Sequence, residues 1–288
     1  MEQGKVIMSP VSKSTGRTST GRTATGCTTT AIMGIINCTP DSFSDGDPSM
    51  SVTAAITKGC RLITEGAQWL DIGGESSRPG AQPISSVDEC ARVIPVITGL
   101  RAAGVTIPLS IDTTKADVAE AALAAGATAI NDISAGLDPR MFNVAAAADC
   151  NLILMHMSGT PQTMQQSPKY QDIIKEVCDF LAMRVAAAIA AGVKRERLFV
   201  DPGIGFGKTV AHNLALLRAL PTLGTVLDLP LVVGLSRKRF LATTAGMPYP
   251  ADDCLGHPMH ALIAPWCALL RVHDVAGTVR ALRVAEMT

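Results

Sequence analysis

The stretch Asp201-Pro202-Gly203-Ile204-Gly205-Phe206-Gly207-Lys208 directly follows a short apolar run, Leu198-Phe199-Val200. The apolar run predicts a buried strand, so a carboxylate stands at the strand's carboxyl end with three glycines behind it. Glycine at alternate positions lets backbone N–H groups approach a flat or anionic ligand. The ending Gly207-Lys208-Thr209 is that of a P-loop, but Pro202 occupies the place of the leading glycine, so we reject a P-loop. Taken alone, the stretch is explained equally well as a tight strand-to-helix turn.

The same order of apolar run, polar residue and loop recurs from residue 31 onwards. Eight such runs are found, at 31–36, 69–70, 107–111, 128–130, 152–155, 198–200, 229–235 and 268–272. The segments between them have apolar residues spaced three and four apart, which predicts helices. Eight strand–helix repeats in about 250 residues predict an α/β fold of the (β/α)8 or TIM-barrel type. The main alternative, an open doubly wound sheet, usually has fewer strands and a GxGxxG motif at its first turn, which this chain lacks.

The composition favours one barrel domain over residues 31–288 and limits its partners. Of the 288 residues, 47% are hydrophobic and 17% charged, while only 3% are aromatic, which indicates an aliphatic core. Because the formal net charge is +0, we expect no nucleic-acid surface and no general membrane affinity. No apolar run approaches the ~18 residues of a transmembrane helix, and no signal-peptide core follows the first residues. We therefore expect a cytoplasmic protein.

The cysteines and the N-terminal segment carry no catalytic motif. The 8 cysteines show neither CxxC nor Cys/His ligand spacing, so we expect reduced thiols. Residues 1–30 are of low complexity, with a decaying Ser/Thr/Gly repeat that has almost nothing to bury, and we predict a disordered tail there. An organelle transit peptide has a similar composition, but this segment lacks the leucines or phenylalanines of an amphipathic helix.

Polar residues stand at the ends of all eight predicted strands. In a (β/α)8 barrel the carboxyl ends of the strands converge on one mouth, where the chemistry takes place. The residues predicted to face this mouth are Asn37, Asp71, Asp112, Asn131, His156, Asp201, Ser236, Arg271 and His273. Helix capping explains a few of them, but it explains neither Arg271 nor the recurrence at every strand end.

The residues predicted at the mouth, together with Arg78 from the second loop, include two kinds of group. Asp112, Asn131 and Asp201 suit the N–H-rich edge of a planar heterocycle, because an ionised carboxylate accepts two parallel N–H bonds. The groups that suit a phosphate, a diphosphate or a metal are Asn37, Arg78, Arg271 and His273. Lys238 follows the seventh strand, where barrels often bind anions, and we interpret it as a charge or hydrogen-bond donor rather than a Schiff-base lysine. We interpret the arginines on either side of it as solvated surface.

Two long loops follow the first and second predicted strands. They span 39–48 and 73–80, and their length and Gly/Ser content predict lids over the mouth. We interpret Phe43, in the first loop, as a ligand contact rather than a satellite core residue.

Several of these stretches together resemble the dihydropteroate synthase family. They are Asn37–Gly46, Asp71–Gly80, Ser110–Lys115, Asn131–Ile133, Leu154–Met157, Asp201–Lys208, Gly234–Lys238 and Arg271–Asp274. No single motif is decisive, but they occur in order and at barrel spacing over residues 31–287. The resemblance implies a transferase of folate biosynthesis that joins 6-hydroxymethyl-7,8-dihydropterin diphosphate to p-aminobenzoate, releasing diphosphate.

The resemblance also implies roles for individual residues. The pterin would be bound by Asp112, Asn131, Met155, Asp201, Phe206 and Lys238, and the catalytic residues among these would be Asp112, Asp201 and Lys238. The diphosphate would be bound by Asn37, Arg271 and His273, with Mg²⁺ near Asn37. The p-aminobenzoate side would be formed by Phe43, Ser77, Arg78, Pro79 and Ser236. A homodimer is implied as well.

The chain departs from the family pattern in two places. Ser77 stands where threonine is common, which keeps the hydroxyl group. The seventh helix, within 256–266, has a proline near each end and Trp266 where the family has small residues, which puts the dimer contact in question. We interpret His257 and His260 as helix-surface histidines, because no third metal ligand is nearby.

Three further hypotheses stay open. A catalytically silent pterin-binding paralogue would carry damaged motifs, whereas every position with an implied role is filled here. A methyltetrahydrofolate-type methyltransferase barrel would bind a corrinoid partner and would not need Arg271 and His273. The unusual seventh helix and the N-terminal repeat suggest a divergent, sulfonamide-insensitive variant linked to antibiotic resistance, although the second loop has no obvious insertion.

Overall fold

The computed structural model describes residues 30–39, 48–249 and 253–287. The predicted tail, apart from Thr30, and most of the first predicted lid, including Phe43, lie outside the described residues. The strands are β1 (Ala31–Asn37), β2 (Trp69–Gly73), β3 (Leu109–Asp112), β4 (Ala129–Asp132), β5 (Asn151–Met155), β6 (Leu198–Asp201), β7 (Val232–Gly234) and β8 (Leu269–Val272).

These strands form one parallel, nearly closed barrel. Their order is β6-β5-β4-β3-β2-β1-β8-β7, so each strand from β1 to β6 pairs with its neighbour in sequence, and β1 pairs with β8. The gap between β6 and β7 is bridged by a parallel contact between Val200 and Leu231 and by a bond from Val200 N to Pro230 O of 3.1 Å. The predicted (β/α)8 fold is confirmed. The seventh strand is shorter than the predicted 229–235.

Helices lie between successive strands, as the apolar spacing predicts. They are α1 (Pro48–Thr64), α2 (Ser86–Ala102), α3 (Ala116–Ala124), α4 (Met141–Ala147), α5 (Ile173–Ala190), α6 (Val210–Arg218), α7 (Leu220–Leu227), α8 (Arg239–Thr244), α9 (Gly256–Ile263) and α10 (Val275–Ala285). Among the described helices, none alone is long and apolar enough to cross a membrane, although α6 and α7, bent by 63° from each other, meet that criterion of length and composition as a pair.

The barrel interior has an apolar layer below a polar one. Side chains two residues apart on a strand share a face, so Leu269 and Arg271 point the same way, as do Phe199 and Asp201. The apolar layer is a buried cluster made of Met33, Ile153, Phe199, Val232 and Leu269. The alternate residues, such as Ile111, pack outwards against the helices in a larger cluster. Two residues further towards the mouth, the inward positions of β6 and β8 hold the charged residues Asp201 and Arg271.

Candidate active site

The polar layer is built around Arg271 on β8. Its Nε donates to Oδ2 of Asp71 on β2 at 2.5 Å, and its Nη2 donates to Oδ2 of Asp112 on β3 at 2.5 Å. Asn131 on β4 donates from Nδ2 to the same Asp71 oxygen at 3.1 Å. The Asp71 side chain is fully buried, and that of Arg271 keeps 20% of its surface exposed. Four of the predicted mouth residues therefore form one hydrogen-bonded network.

Two carboxylates share the single guanidinium of this network. Burial raises the pKa of Asp112 to about 7; Arg271 lowers that pKa, and the Asp71 carboxylate raises it further. Burial lowers the pKa of Arg271, but Asp71 and Asp112 raise it by more, so the guanidinium stays charged. The second oxygen of Asp71, Oδ1, is buried without a hydrogen-bond partner. The network thus combines a fixed positive charge with a carboxyl group, Asp112, that titrates near neutral pH.

Two features of this network add to the sequence interpretation. The sequence places Asp71 at the mouth without a role, whereas the structure shows that it accepts hydrogen bonds from both Arg271 and Asn131. Arg271, for which the resemblance implies a diphosphate contact, donates from Nε to Asp71 and from Nη2 to Asp112. The signal that could have found Asp71 is its position directly after the apolar start of β2.

Each glycine of the Asp201–Lys208 stretch has a positive φ, from 63° to 86°, and closely packed surroundings. A Cβ on Gly203 would lie 1.8 Å from the carbonyl oxygen of His156, and one on Gly207 would lie 2.7 Å from that of Ser158. A Cβ on Gly205 would lie 3.0 Å from Cδ of Lys238. These glycines therefore let the loop pack against the residues that follow β5 and leave room for the Lys238 side chain.

Two of the glycine N–H groups of this stretch donate to side chains of the protein itself, which agrees with the tight-turn explanation. Gly203 N donates to Oδ1 of Asp201 at 2.7 Å, and Gly205 N donates to Oδ1 of Asn213 on α6 at 2.7 Å. Both N–H groups therefore stabilise the conformation of the loop. Burial raises the pKa of Asp201, while Lys238 and the Gly203 hydrogen bond lower it.

Two lysines lie at the same stretch, the buried Lys208 and the half-buried Lys238. Lys238 donates from Nζ to the carbonyl oxygen of Ile204, and this nitrogen lies 4.7 Å from the ring centroid of Phe206. Burial lowers the pKa of Lys238 to about 8, although Asp201 raises it. Lys208 points under the loop: its Nζ lies 2.9 Å from Nδ1 of His156 and donates to the carbonyl oxygen of Phe206 at 2.9 Å. Lys208 is thus fully engaged below the loop, in keeping with the rejection of a P-loop.

An apolar wall lies beside Asp201 and Lys238. It is a buried cluster of Ile133, Met155, Met164 and Phe206. Met155 and Phe206 were predicted to lie against a pterin ring. Ile133 and Met164 were missed, the latter because it lies in the β5–α5 loop, which has no periodic pattern that would predict burial.

Between β7 and β8, polar groups gather around Asp253. Ser236 donates from Oγ to Oδ1 of Asp253 at 2.8 Å and accepts a bond from His273 N at 3.2 Å. Arg237 donates from Nε and Nη2 to Oδ2 of Asp253 at 2.9 and 2.7 Å. Arg237 is exposed, as expected, but it forms an ion pair with Asp253.

Burial lowers the pKa of His273 to about 3, and the nearby charges of Arg237 and Arg271 lower it further. His273 is therefore neutral at pH 7 and not the cationic group that the sequence suggested.

The remaining predicted residues lie at the rim. Asn37 is half-buried at the end of β1, while Ser77 is half-buried and Arg78 and Pro79 are exposed in the β2–α2 loop. In the part of the chain that the structure describes, no group of three His, Cys, Asp or Glu side chains could hold a metal ion. Asn37 could supply one oxygen ligand, which suits Mg²⁺ only if substrate phosphates and water supply the rest.

The interpretation of both α9 histidines as surface residues is wrong for His260. His260 is only 1% exposed, and burial lowers its pKa to about 4. His257 pairs with Asp274, with Nε2 and Oδ2 3.0 Å apart. Helix α9 ends before a short 3-10 turn, Ala264–Trp266, that contains Pro265, and Trp266 is 48% exposed.

The fold and the site define a (β/α)8 barrel whose mouth combines buried carboxylates, an amide and a guanidinium with an apolar wall. The model of the family described as pterin binding enzyme matches residues 33–269, and the chain belongs to this family. Among its relatives are dihydropteroate synthases. The enzyme of that name from Synechocystis sp. is 44% identical over 260 residues, covering 89% of each chain.

Two solved structures extend this similarity. Xanthomonas albilineans dihydropteroate synthase with 4-aminobenzoic acid is 46% identical, with a TM-score of 0.83 and coverage of 90% of this chain and 92% of that one. Yersinia pestis dihydropteroate synthase in complex with a sulfonamide drug is 40% identical, with a TM-score of 0.83 and coverage of 90% and 94%. The resemblance found in the sequence is confirmed.

Proposed function

We propose that the chain is an active dihydropteroate synthase. It condenses 6-hydroxymethyl-7,8-dihydropterin diphosphate with p-aminobenzoate, giving 7,8-dihydropteroate and diphosphate. The observation that carries this proposal is the network of Arg271 with Asp71, Asp112 and Asn131 in a barrel that also holds the apolar wall containing Met155 and Phe206.

The pterin binds between the acceptors and the apolar wall. Asp112, Asn131 and Asp201 offer carboxylate and amide oxygens to the N–H groups of the ring edge, which a carboxylate can accept in pairs. A site of this kind can reject analogues without matching donors by about 10⁴–10⁵-fold. Met155 and Phe206 cover the ring face, and Lys238 donates a hydrogen bond from the side of β7.

Loss of diphosphate precedes attack by the amine. As the C–O bond breaks, positive charge develops on the pterin methylene carbon and negative charge on the diphosphate. Asp112 and Asp201 stabilise the former, while Arg271, neutral His273 as an N–H donor, and Asn37 stabilise the latter; one well-aimed donor contributes about 2.7–4 kcal/mol. Bound Mg²⁺ would neutralise diphosphate charge, with Asn37 and substrate oxygens as its ligands.

The p-aminobenzoate lies at the rim, against Ser77, Arg78, Pro79 and Ser236, with Phe43 from the first loop. Arg78 is exposed and therefore free to meet a carboxylate. Attack of the amine on the methylene carbon then forms the C–N bond and releases a proton.

The experiment is a turnover assay on the full chain. Purified protein, the pterin diphosphate, p-aminobenzoate and Mg²⁺ should yield diphosphate and dihydropteroate in equal amounts. Release no greater than that of a Lys238→Ala variant would reject the proposal. Calorimetric pterin binding without turnover would instead support a silent paralogue, and binding of methyltetrahydrofolate with a corrinoid partner would support the methyltransferase alternative.

We also propose a cytoplasmic homodimer that uses the face formed by α9 and α10. Large apolar side chains are exposed here: Leu262 at 69%, Val284 at 65% and Trp266 at 48%. A second copy of this chain would cover them. Light scattering should give twice the mass of the chain, and Leu262→Lys should give the single mass. A wild-type monomer at micromolar concentration would contradict the dimer.

A sulfonamide-insensitive variant stays a hypothesis. Its motivation is the proline-bounded α9 region, while the β2–α2 loop argues for ordinary sensitivity because it carries no insertion. Inhibition constants for a sulfonamide, compared with the KM for p-aminobenzoate, separate the two outcomes.

A further inference from the structure

The start of the β2–α2 loop is bound by an ion-pair cluster outside the proposed substrate contacts. Lys115, directly before α3, donates from Nζ to Oε2 of Glu75 and, at 2.6 Å, to Oε2 of Glu89 on α2. Glu89 is fully buried, whereas Glu75 and Lys115 keep 23% and 22% of their side chains exposed. Lys115 thus joins the loop, α2 and the segment that follows Asp112.

The other end of the same loop is bound by the β5–α5 loop. Gly80 N donates to the carbonyl oxygen of Pro161 at 3.0 Å. Gln162 donates from Nε2 to the carbonyl oxygen of Ala81 at 2.7 Å. Between Glu75 and Gly80 lie only Ser76, Ser77, Arg78 and Pro79, so the span Ser76–Pro79 is held at both ends.

We propose that Lys115 and Gln162 are positioning residues for the aminobenzoate side of the site. They hold the two ends of the span Ser76–Pro79 and keep it over the barrel mouth before the second substrate arrives. The inference rests on the proposed assignment of Ser77, Arg78 and Pro79 to p-aminobenzoate. Its physical basis is preorganisation: a loop already held in its bound position loses less conformational entropy on binding.

Glu75 allows loop positioning to be separated from overall folding. Removing Lys115 would leave the buried Glu89 carboxylate without a cation, which is strongly destabilising. Removing Glu75 leaves the Lys115–Glu89 pair in place. Glu75→Ala therefore removes the bond from Lys115 to the start of the span, while the buried pair and the bond from Arg92 Nη1 to Gly74 O at 2.9 Å stay in place.

The experiment measures both substrates in the full-length protein. Glu75→Ala should raise the KM for p-aminobenzoate by about 5- to 30-fold, which corresponds to about 1–2 kcal/mol. Its kcat and its calorimetric affinity for the pterin should stay at the wild-type values. Glu75→Gln, which keeps an acceptor for Lys115, should recover part of the effect. Gln162→Ala should raise the same KM by about 2- to 10-fold.

Lys175→Ala is the matched control, because it breaks an exposed ion pair with Asp179 within α5. It should leave both substrates unaffected. Arg78→Ala tests the underlying assignment: an unchanged KM for p-aminobenzoate in this variant would reject the assignment itself. If the KM for p-aminobenzoate is raised in Arg78→Ala but unchanged in Glu75→Ala, only the positioning role of Lys115 is overturned. Equal weakening of pterin and p-aminobenzoate binding in Glu75→Ala would overturn it too.

Discussion

Arg271 and Asp71 are 200 positions apart in the chain, yet Nε of one lies 2.5 Å from Oδ2 of the other. They meet because β1 pairs with β2 on one side and with β8 on the other, so their inward side chains converge across β1. Asp71 thereby fixes the direction of the guanidinium and places a second carboxylate beside Asp112.

Asp71→Asn should move the titration of Asp112 towards lower pH. Asn can still accept from Arg271 but removes the like charge that raises the pKa of Asp112, which is about 7 in the wild type. If pterin binding requires ionised Asp112, the affinity for the pterin should rise as the pH passes through about 7 in the wild type. In the variant the same rise should occur at lower pH. The variant's kcat/KM should fall by about 10-fold or more, because a hydrogen bond to a charged group contributes about 1.5–3 kcal/mol.

Calorimetry between pH 5 and 8.5 would check the shift predicted for Asp71→Asn. Asp149→Asn, which removes a carboxylate paired with Arg197 at the surface, is the control. Superimposable profiles for wild type and Asp71→Asn would contradict the coupling of the two carboxylates.

Lys238→Arg should remove an alkaline decline in activity. Burial lowers the pKa of Lys238 to about 8, so its positive charge is lost as the pH rises through that value. Arginine stays charged, so kcat/KM for the pterin substrate should become flat between pH 7 and 9.5, although at a lower level. Lys238→Ala should lose about 10²–10³-fold in kcat. If the alkaline decline in activity persists in Lys238→Arg, it does not arise from Lys238. The decline would then be assigned to Lys208, because burial lowers the pKa of Lys208 to about 7.

Gly203→Ala should be more destabilising than Gly80→Ala. Both positions have a left-handed φ, 68° and 81°, which costs an L-residue about 1–2 kcal/mol. A Cβ on Gly203 would also lie 1.8 Å from the His156 carbonyl oxygen, whereas one on Gly80 has nothing within 4 Å. The clash should add about 1–3 kcal/mol to the loss in the free energy of unfolding. Urea denaturation measures both values, and equal values would disprove the close packing of the glycine stretch against β5.

His260→Leu should reduce the acid sensitivity of the fold. Burial lowers the pKa of His260 to about 4, whereas in the unfolded chain it is about 6.5. Between these pH values the unfolded state binds more protons, so stability falls as the pH is lowered from about 6.5 towards 4. The difference in unfolding free energy between pH 7 and 5 should shrink in the variant. It should not vanish, because burial lowers the pKa of His156 and His273 to about 3. An unchanged difference would show that His260 is not neutral in the folded state.

The local sequence pattern was sufficient to predict the barrel and most of the residues at its mouth. Each strand is a short apolar run that ends in a polar residue, and the alternation of strand and helix periodicity is visible without any long-range contact. Asp112, Asn131 and Asp201 could therefore be placed at one edge. Contacts between segments that are distant in the sequence leave no periodic pattern from which they could be predicted. The burial of Met164 and His260 depends on what packs over them, which local spacing does not encode.

The sequence by itself determined the strand order and the polar residues at the barrel mouth, because both follow from the periodicity of neighbouring residues. Only the tertiary structure decided which groups pair. It turned Arg271 towards Asp71 and Asp112, used the N–H groups of Gly203 and Gly205 inside their own loop, and joined Lys115 to Glu75. The physical reason is that pairing and burial depend on distances between side chains from different strands. Those distances exist only once the barrel has closed.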